Sequence, residues 1–312
     1  MIKIEVLTAG PAASIQDQGR EGCAHMGITR SGAVDPFAWR LGQQLVGNTP
    51  PSAVFELALG GLSLRADAPM TVAVTGALAP ISIDGAPCEH NRSLQMAAMA
   101  VLKLGYTSRG NYSYVAIAGE PMIDRQFGSL STTVREGLGV FEGRQLRAGD
   151  VIPWRLPRAP TPTRFCSRPE PMQKDVLVLR YLPGFQARSC ARAISGLESQ
   201  TFQTTTNANR MGVRLSGTAL AIDLPPLWSE AACFGAIQVP PDGQPIVLLN
   251  EYQTMGGYPK LGAVLSSDCV RLAQAPTGQK LQFVPITPAE ADRILWLERS
   301  YEAEYVVTEH AR

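Results

Sequence analysis

The side chains best suited to chemistry in this 312-residue sequence lie in five polar loops that are punctuated by glycine. In the first loop Asp17 stands three residues before Arg20, so a carboxylate and a guanidinium can be presented together. In the third, Arg210 and Arg214 lie four residues apart, and a guanidinium can bind a carboxylate or phosphate with two hydrogen bonds. If that segment is a strand, both arginines share a face. For the first loop, the alternative is a solvent-exposed turn with a local salt bridge, worth well under about 1 kcal/mol.

The other three loops offer hydroxyls, amides and a lysine. The second follows Gly128, and its hydroxyls and N–H groups can bind an anion unless it is an ordinary serine–threonine turn. In the fourth, Gln238 adjoins a rigid Pro-Pro-Asp-Gly turn, which suits its amide to an amide substrate. In the fifth, which is otherwise a wide hairpin, two glycines admit a ligand beside Tyr258 and Lys260. The further candidates for substrate binding are Gln16, Ser129, Ser131, Thr132, Asn209, Gln253, Thr254, Gly256 and Gly257.

Several familiar catalytic motifs are missing from the sequence. There is no P-loop, and Gly137-x-Gly139-x-x-x-Gly143 departs from the dinucleotide fingerprint by one residue. The three histidines form no His-x-x-x-His pair, so we expect no built-in metal site. No Gly-x-Ser-x-Gly supports a Ser-His-Asp triad, although such a triad stays open. No lysine stands between two methionines, so we expect no biotin on this chain.

Composition excludes other classes of protein. The net charge of +1 comes without a basic stripe, which argues against nucleic-acid binding. No apolar run reaches membrane-spanning length, so we expect no membrane association. The six cysteines are scattered without a C-x-x-C pair, and the chain opens on a strand pattern rather than a signal peptide. We therefore expect a reduced, cytoplasmic protein.

Strand patterns dominate the sequence and predict a mainly β, antiparallel fold. Apolar and polar residues alternate from Ile2, and the Asp84-Gly85 and Asp242-Gly243 pairs are typical of tight hairpin turns. We predict helices only near 35–46, 189–198 and 288–304. The first begins with Asp35 as a cap, and the last follows the capping box Thr287–Glu290.

A proline-rich segment divides the chain into two unequal parts. Five prolines in 156–174 predict an extended linker between a first β-barrel unit, 1–155, and a second, 175–286, followed by a C-terminal helix and tail, 287–312. The two halves share the pattern Met-Gly-aliphatic-x-x-Ser-Gly, at Met26 and at Met211. This repeat favours an internal duplication of one β-rich unit.

Eight stretches of the chain, in order, are similar to one known family. They are SIQDQGREG, GITRSGAVD, LVGN, GSLST, EGRQLRAGD, NANRMGVRLSG, GAIQVPPDGQPIVLL and QTMGGYPKLGAV. The sequence resembles the carboxyltransferase-domain family, which includes the C subunit of 5-oxoprolinase, the second subunit of allophanate hydrolase, the antagonist of the sporulation-kinase inhibitor and the carboxyltransferase region of urea amidolyase. It departs from the family pattern at Gly119-Glu120, Gln43-Gln44 and Cys23, beside matched loops, which bears on the substrate more than on the fold.

The resemblance implies two cyclophilin-like antiparallel β-barrel units with few helices. It also implies partners, namely a smaller subunit of related fold and, in 5-oxoprolinase, a third subunit. The implied substrate is a small lactam or amide. The implied cofactor is ATP with Mg²⁺, which drives the opening of 5-oxoproline to L-glutamate. In the carboxyltransferase alternative, carboxybiotin on a separate chain delivers CO₂ to urea or a related amide.

Three functional hypotheses follow from these observations. The leading one is a subunit of an ATP-dependent 5-oxoprolinase; the others are a biotin-dependent carboxyltransferase subunit and a non-catalytic regulatory subunit. For the leading one, we expect catalytic roles for Asp17, Arg20, Arg210 and Lys260 and substrate binding by Arg214 and the amides of Gln238 and Gln253. We predict that Asp17, Arg20, Arg210, Gln238, Tyr258 and Lys260 line one shared cleft.

Overall fold

The computed structural model describes residues 1–49, 51–158, 163–166, 175–222, 227–304 and 308–309. The chain forms two compact units. The first comprises Met1–Glu21, Ser31–Glu170 and Ala303–Arg312, and the second comprises Gly22–Arg30 and Pro171–Glu302. Most of the predicted linker 156–174 lies outside the described residues, so its extended form, the domain limits given above and the internal duplication stay predictions.

The first unit is built from two sheets of seven and five strands and one short two-stranded sheet. Its strands are β1 Ile2–Ala9, β2 Ala12–Gln16, β3 Val54–Ala58, β4 Leu62–Ala66, β5 Met70–Leu78, β6 Ile81–Ile83, β7 Ala86–Cys88, β8 Ser93–Met96, β9 Val101–Leu104, β10 Arg109–Ile117, β11 Glu120–Pro121, β12 Val151–Arg155, β13 Arg164–Phe165 and β23 Thr308–Glu309. The sheet orders are β11-β12-β1-β4-β9-β6-β7, β2-β3-β10-β5-β8 and β13-β23.

Alternating apolar side chains build the core of this first unit. Ile2, Ile4 and Val6 of β1 are buried, as their period of two predicts. Phe55 and Trp154 stack with ring centroids 6.2 Å apart, and the Trp154 indole N–H donates to a backbone carbonyl. The Asp84-Gly85 pair forms the predicted turn between β6 and β7.

Helix α1, Pro36–Leu45, begins as the sequence predicts. The Asp35 side chain accepts a hydrogen bond from the Ala38 N–H at 2.9 Å, and Pro36 occupies the first helical position. The helix buries Ala38, Leu41 and Leu45. Short 3-10 helices at Val134–Glu136 and Val140–Gly143 also belong to this unit, and another, Ala24–Met26, lies in the part of the chain assigned to the second.

The second unit contains a closed barrel of seven strands. The strands of the whole unit are β14 Val176–Pro183, β15 Phe202–Asn209, β16 Gly212–Ser216, β17 Glu230–Ala231, β18 Ala236–Gln238, β19 Ile246–Leu248, β20 Met255–Gly256, β21 Lys260–Val264 and β22 Lys280–Pro285. The barrel order is β14-β21-β18-β19-β16-β15-β22, while β17 and β20 pair separately. A barrel with an odd number of strands cannot alternate direction throughout, and β14 and β22 are the parallel pair. With this one exception, the mainly β, antiparallel prediction is confirmed.

Aromatic side chains fill the second unit's core. Phe202 and Phe283 meet edge to face at 5.8 Å, and Tyr181 and Phe283 at 6.1 Å. In the part of this unit that the structure describes, three helices accompany the barrel: α2 Ala191–Ser199, α3 Ser266–Ala273 and α4 Pro288–Glu304. A 3-10 helix, Phe185–Cys190, precedes α2.

Two of the three helices in this second part of the chain agree with the sequence predictions, and α3 does not. The predicted capping box precedes α4, where Thr287 N–H donates to Glu290 at 2.8 Å and Thr287 Oγ1 accepts from Glu290 N–H at 3.3 Å. The prediction of no helix near 266–273 was wrong. The buried residues Cys269, Leu272 and Ala273 have helical spacing that eight residues are too few to make conspicuous.

The prediction of a tight hairpin at Asp242-Gly243 was also wrong. The connection between β18 and β19 runs over residues 239–245. Asp242 and Gly243 close a turn inside it, in which the Gly243 N–H donates to the Pro240 carbonyl at 2.9 Å. The neighbouring prolines have fixed φ and no N–H to donate to a paired strand, so strand pairing ends before the turn.

Candidate functional site

In the first unit, Asp17 lies one residue after the end of β2 and is buried, with 3% of its surface exposed. Its Oδ1 accepts hydrogen bonds from the hydroxyls of Ser129 and Ser131, both at 2.6 Å, and from the Gly19 N–H at 2.8 Å. Its Oδ2 accepts from the Leu130 N–H at 2.7 Å. The hydroxyl loop therefore binds an anion, as its sequence predicts, but that anion is the protein's own carboxylate.

Arg20 and Gln16 hold the same loop from the other side. Arg20 is 1% exposed and donates to Thr133 Oγ1 at 3.0 Å and to the Ser131 carbonyl at 2.5 Å. The Gln16 amide donates to the Thr132 carbonyl at 2.9 Å. The solvent-exposed turn considered as the alternative is not what forms. These contacts give the cluster a structural role, and its catalytic role stays a prediction.

In the second unit, Arg210 occupies the two-residue turn between β15 and β16, and Arg214 lies within β16. The expectation that one strand carries both arginines on one face was wrong, because this turn separates them. Arg210 Nε pairs with Glu251 at 2.7 Å, and Arg214 pairs with Asp242. The side-chain oxygen of Asn209 accepts from the Met211 N–H at 2.8 Å and closes the turn.

Lys260 and Gln238 are brought together by the register of the barrel. Lys260 begins β21, Gln238 ends β18, and the two are directly opposite in the antiparallel pairing. Residues directly opposite in an antiparallel pair project to the same face. Both residues are 8% exposed.

The Lys260 ammonium faces three acceptors at long range. It lies 3.3 Å from the Gly256 carbonyl, 3.4 Å from the Tyr258 carbonyl and 3.5 Å from Glu230 Oε2. Hydrogen bonds of a charged amine to oxygen are usually about 2.7–2.9 Å. All three contacts of the Lys260 ammonium are longer than this range.

Gln238 is 8% exposed, and no hydrogen bond joins its side-chain amide to another described residue. Its amide atoms are not among the buried side-chain atoms that lack a partner, so the amide keeps some contact with solvent. Gly256 lies against this amide, since a Cβ at residue 256 would stand 3.0 Å from Gln238 Nε2. An amide in this state is suited to bind a ligand that supplies a donor and an acceptor.

The rest of the fifth loop lies around these two side chains. Gly256 pairs with Glu230 between β20 and β17, and Gly257 adjoins the Leu227 carbonyl. The Thr254 carbonyl accepts from the Ala232 N–H at 2.9 Å. Tyr258 is 45% exposed and Gln253 is also exposed, so both can contact an incoming molecule.

Titratable neighbours of Lys260 were missed by the sequence analysis. Partial burial raises the pKa of the Cys233 thiol, and the positive charge of Lys260 opposes this shift. Burial also raises the pKa of Tyr252, with a further contribution from Cys233 and an opposing one from Arg30. Cys233 therefore interacts electrostatically with both Lys260 and Tyr252.

Two polar residues bound to Lys260 were missed as well. Gln186 accepts from the Lys260 backbone N–H at 2.6 Å, and its own amide donates to Glu230 Oε2 at 3.0 Å. The sequence signal for Gln186 was weak, a polar residue after the Pro183-Gly184 turn. Glu230 begins an unremarkable two-residue strand.

Comparison with known proteins places this chain in a family. Residues 26–285 match the model of the family described as carboxyltransferase domain, subdomain A and B. The chain belongs to this carboxyltransferase-domain family. The match covers both units, and the resemblance stated from the sequence is confirmed.

Relatives with similar sequences are enzymes or enzyme subunits. The C subunit of the Haemophilus influenzae 5-oxoprolinase is 33% identical over 303 residues, covering 93% of this chain and 94% of that protein. The C subunit of the Escherichia coli 5-oxoprolinase is 34% identical over 297 residues, covering 92% and 93%. The urea amidolyase of Lachancea kluyveri is 26% identical, and there the match covers 91% of this chain but 17% of the relative.

Solved structures share the fold. The crystal structure of TTHA0988 superposes with a TM-score of 0.82 at 30% identity, covering 91% of this chain and 56% of that one. The Kluyveromyces lactis urea carboxylase gives 0.89 at 22% identity, covering 99% and 30%, which bears on the fold alone. Among the described residues, no helix is both long and apolar enough to cross a membrane.

Proposed function

We propose that this chain is the C subunit of an ATP-dependent 5-oxoprolinase, which opens the lactam of 5-oxoproline to L-glutamate. Support comes from the two 5-oxoprolinase C subunits described above, which match over more than nine-tenths of both chains. The partners proposed are a smaller subunit of related fold and a third subunit.

The observation that carries the proposal is the pair formed by Gln238 and Lys260. A five-membered lactam has a cis amide, so its N–H and C=O stand side by side. The Gln238 amide presents the complementary donor and acceptor and has no partner among the described residues. Pairing with a lactam or a urea satisfies both groups at once.

Lys260 supplies the charge for the reaction. Its ammonium, aimed from the same face as Gln238, can approach the lactam carbonyl oxygen and stabilise the negative charge that develops there when the ring opens. The exposed phenol of Tyr258 lies two residues away and can cover the ring. Burial of the ammonium strengthens its effect because less water screens it.

The arginines expected to bind phosphates do not fit an ATP site. Arg210 and Arg214 pair with Glu251 and Asp242, and Arg20 is buried against Thr133 and the Ser131 carbonyl. We therefore assign nucleotide binding to the partner subunits and derive no step through ATP on this chain. The contribution of this chain is to hold and polarise the amide.

The proposal is tested by co-purifying the chain with its neighbouring subunits. We expect ATP hydrolysis that rises with added 5-oxoproline and releases glutamate, with little turnover by the isolated chain. An ATP hydrolysis rate that does not change when 5-oxoproline is added, or substantial ring opening by the chain alone, would contradict the proposal.

A second candidate is a carboxyltransferase subunit that uses carboxybiotin on another chain. The family description and the urea amidolyase relatives favour it. The ureido ring of biotin is also a cyclic cis amide, so Gln238 fits it equally well. Carboxylation of urea by the assembled proteins, dependent on a biotinylated chain, would support this candidate instead. Binding without turnover of any amide would support a regulatory subunit.

A further inference from the structure

Gln186 makes two bonds that both bear on Lys260. It lies in the 3-10 helix Phe185–Cys190, directly after β14, and is 6% exposed. Its side-chain oxygen Oε1 accepts from the backbone N–H of Lys260 at 2.6 Å, which fixes the start of β21. Its amide nitrogen donates to Glu230 Oε2 at 3.0 Å. One side chain therefore binds the backbone of the lysine and the carboxylate that faces its ammonium.

The three residues form a closed ring of contacts. The same Glu230 oxygen that receives the Gln186 amide lies 3.5 Å from Lys260 Nζ. The Glu230 side chain is 39% exposed and would otherwise move freely on the short strand β17. Held by Gln186, it restricts a lysine side chain that would otherwise populate many rotamers.

We propose that Gln186 is a positioning residue for the lactam opening proposed above. It fixes Glu230, and Glu230 in turn holds the Lys260 ammonium beside Gln238 until the substrate carbonyl replaces the carboxylate as the acceptor. Gln186 touches no substrate. Its effect on the reaction passes through the orientation of Lys260.

The test that is independent of activity measures the reactivity of Lys260 in the full chain. The chain has five lysines, and Lys103 and Lys280 are exposed and serve as internal standards. Acylation by an N-hydroxysuccinimide ester is followed for each lysine by mass spectrometry. In Gln186→Met we expect Lys260 to react at least about fivefold faster, because a side chain released from its contacts is more accessible, while Lys103 and Lys280 are unchanged.

Gln200→Met is the matched control. Like Gln186, Gln200 uses both ends of its amide: the nitrogen donates to the carbonyls of Gly196 and Thr218, and the oxygen accepts from the Thr218 N–H, but none of these contacts involves the Lys260 ring. Its substitution should leave Lys260 reactivity within twofold of the native value. If Gln186→Met does not fold, Glu230→Gln removes the charge at a half-exposed residue and should give the same change. An unaltered Lys260 rate in a folded variant would overturn the proposal.

The second measurement is of kcat and KM in the assembled enzyme. A misplacement of about 1 Å can cost 10²-fold in rate, so we expect Gln186→Met to lower kcat by 10-fold to 100-fold with KM for 5-oxoproline within about threefold. A fall in thermal stability with kcat unchanged would assign Gln186 a structural role only. If the complex has no oxoprolinase activity but Lys260 still becomes reactive in Gln186→Met, the positioning stands and the proposed reaction fails.

Discussion

Replacement of Asp17 distinguishes a structural clamp from a catalytic base. Five donors converge on this buried carboxylate: the hydroxyls of Ser129 and Ser131, the Arg125 guanidinium at 3.4 Å, and two backbone N–H groups that cannot turn to another acceptor. Asp17→Asn keeps the shape, but it removes the charge and turns an N–H₂ group toward at least one of these donors. The structure therefore predicts a loss of stability whether or not the residue acts in a reaction.

The magnitude follows from the contacts. Hydrogen bonds to a charged group contribute about 1.5–3 kcal/mol each, and a buried N–H left without an acceptor costs about 1–3 kcal/mol. The serine hydroxyls can reorient, so we count mainly the Leu130 N–H and the lost charge. We expect Asp17→Asn to lower the free energy of unfolding by about 3 kcal/mol and Asp17→Ala by more.

Thermal melting measures the loss, and hydrogen exchange followed by mass spectrometry locates it. We expect faster exchange in residues 128–133 and little change in the barrel strands of the second unit. Asp67→Asn is the control, since Asp67 is exposed and accepts one backbone N–H from Lys3 at 2.8 Å. A fully stable Asp17→Asn protein whose complex has lost turnover would refute the clamp and restore Asp17 as a catalytic residue.

Three further outcomes are expected. Arg210→Ala should lower stability by about 1–3 kcal/mol in denaturant titration, because its partly buried carboxylate partner loses its ion pair; a normal melting curve with lost turnover would contradict this. Gly256→Ala should fold normally but weaken binding of 2-pyrrolidone, measured by calorimetry, by about 10-fold, since the new methyl group displaces the Gln238 amide; unchanged affinity would count against the site. Arg144 donates to the Asp150 carboxylate and holds the pKa of Asp150 below its usual range. The stabilisation from this ion pair is therefore fully present above the unfolded pKa of about 3.9 and is lost as pH falls through the folded pKa. Asp150→Asn should therefore be less stable than the native protein at pH 7, by about 1 kcal/mol, and the difference should shrink in acid.

The β architecture could be predicted because it depends on local signals. Alternation from Ile2, the Asp84-Gly85 turn and the caps at Asp35 and Thr287 each act within a few residues, and all formed as predicted. Helix α3 was missed because its apolar face holds few residues. The parallel pair of β14 and β22 was missed because strand direction depends on closure of the whole barrel.

The candidate site was only partly predictable, for a related reason. Lys260 and Gln238 stood out because glycine and proline punctuate their loops. Gln186 and Glu230 carry no such signal, since barrel register and not sequence spacing brings them to Lys260. Conversely, Asp17 and Arg20 looked chemically active because sequence alone does not show that Ser129 and Ser131 already bind the carboxylate.

Gln238 is proposed to hold an amide substrate that Lys260 polarises, and substitution of these two residues in the assembled complex tests this role most directly. The measurement is kcat/KM for ATP-driven opening of 5-oxoproline, with Lys280→Met and Gln200→Met as exposed-lysine and remote-glutamine controls. We predict a loss of about 100-fold or more in Lys260→Met and at least about 10-fold in Gln238→Met, with both controls near the native value. Native kcat/KM in correctly folded Lys260→Met and Gln238→Met complexes would contradict the account.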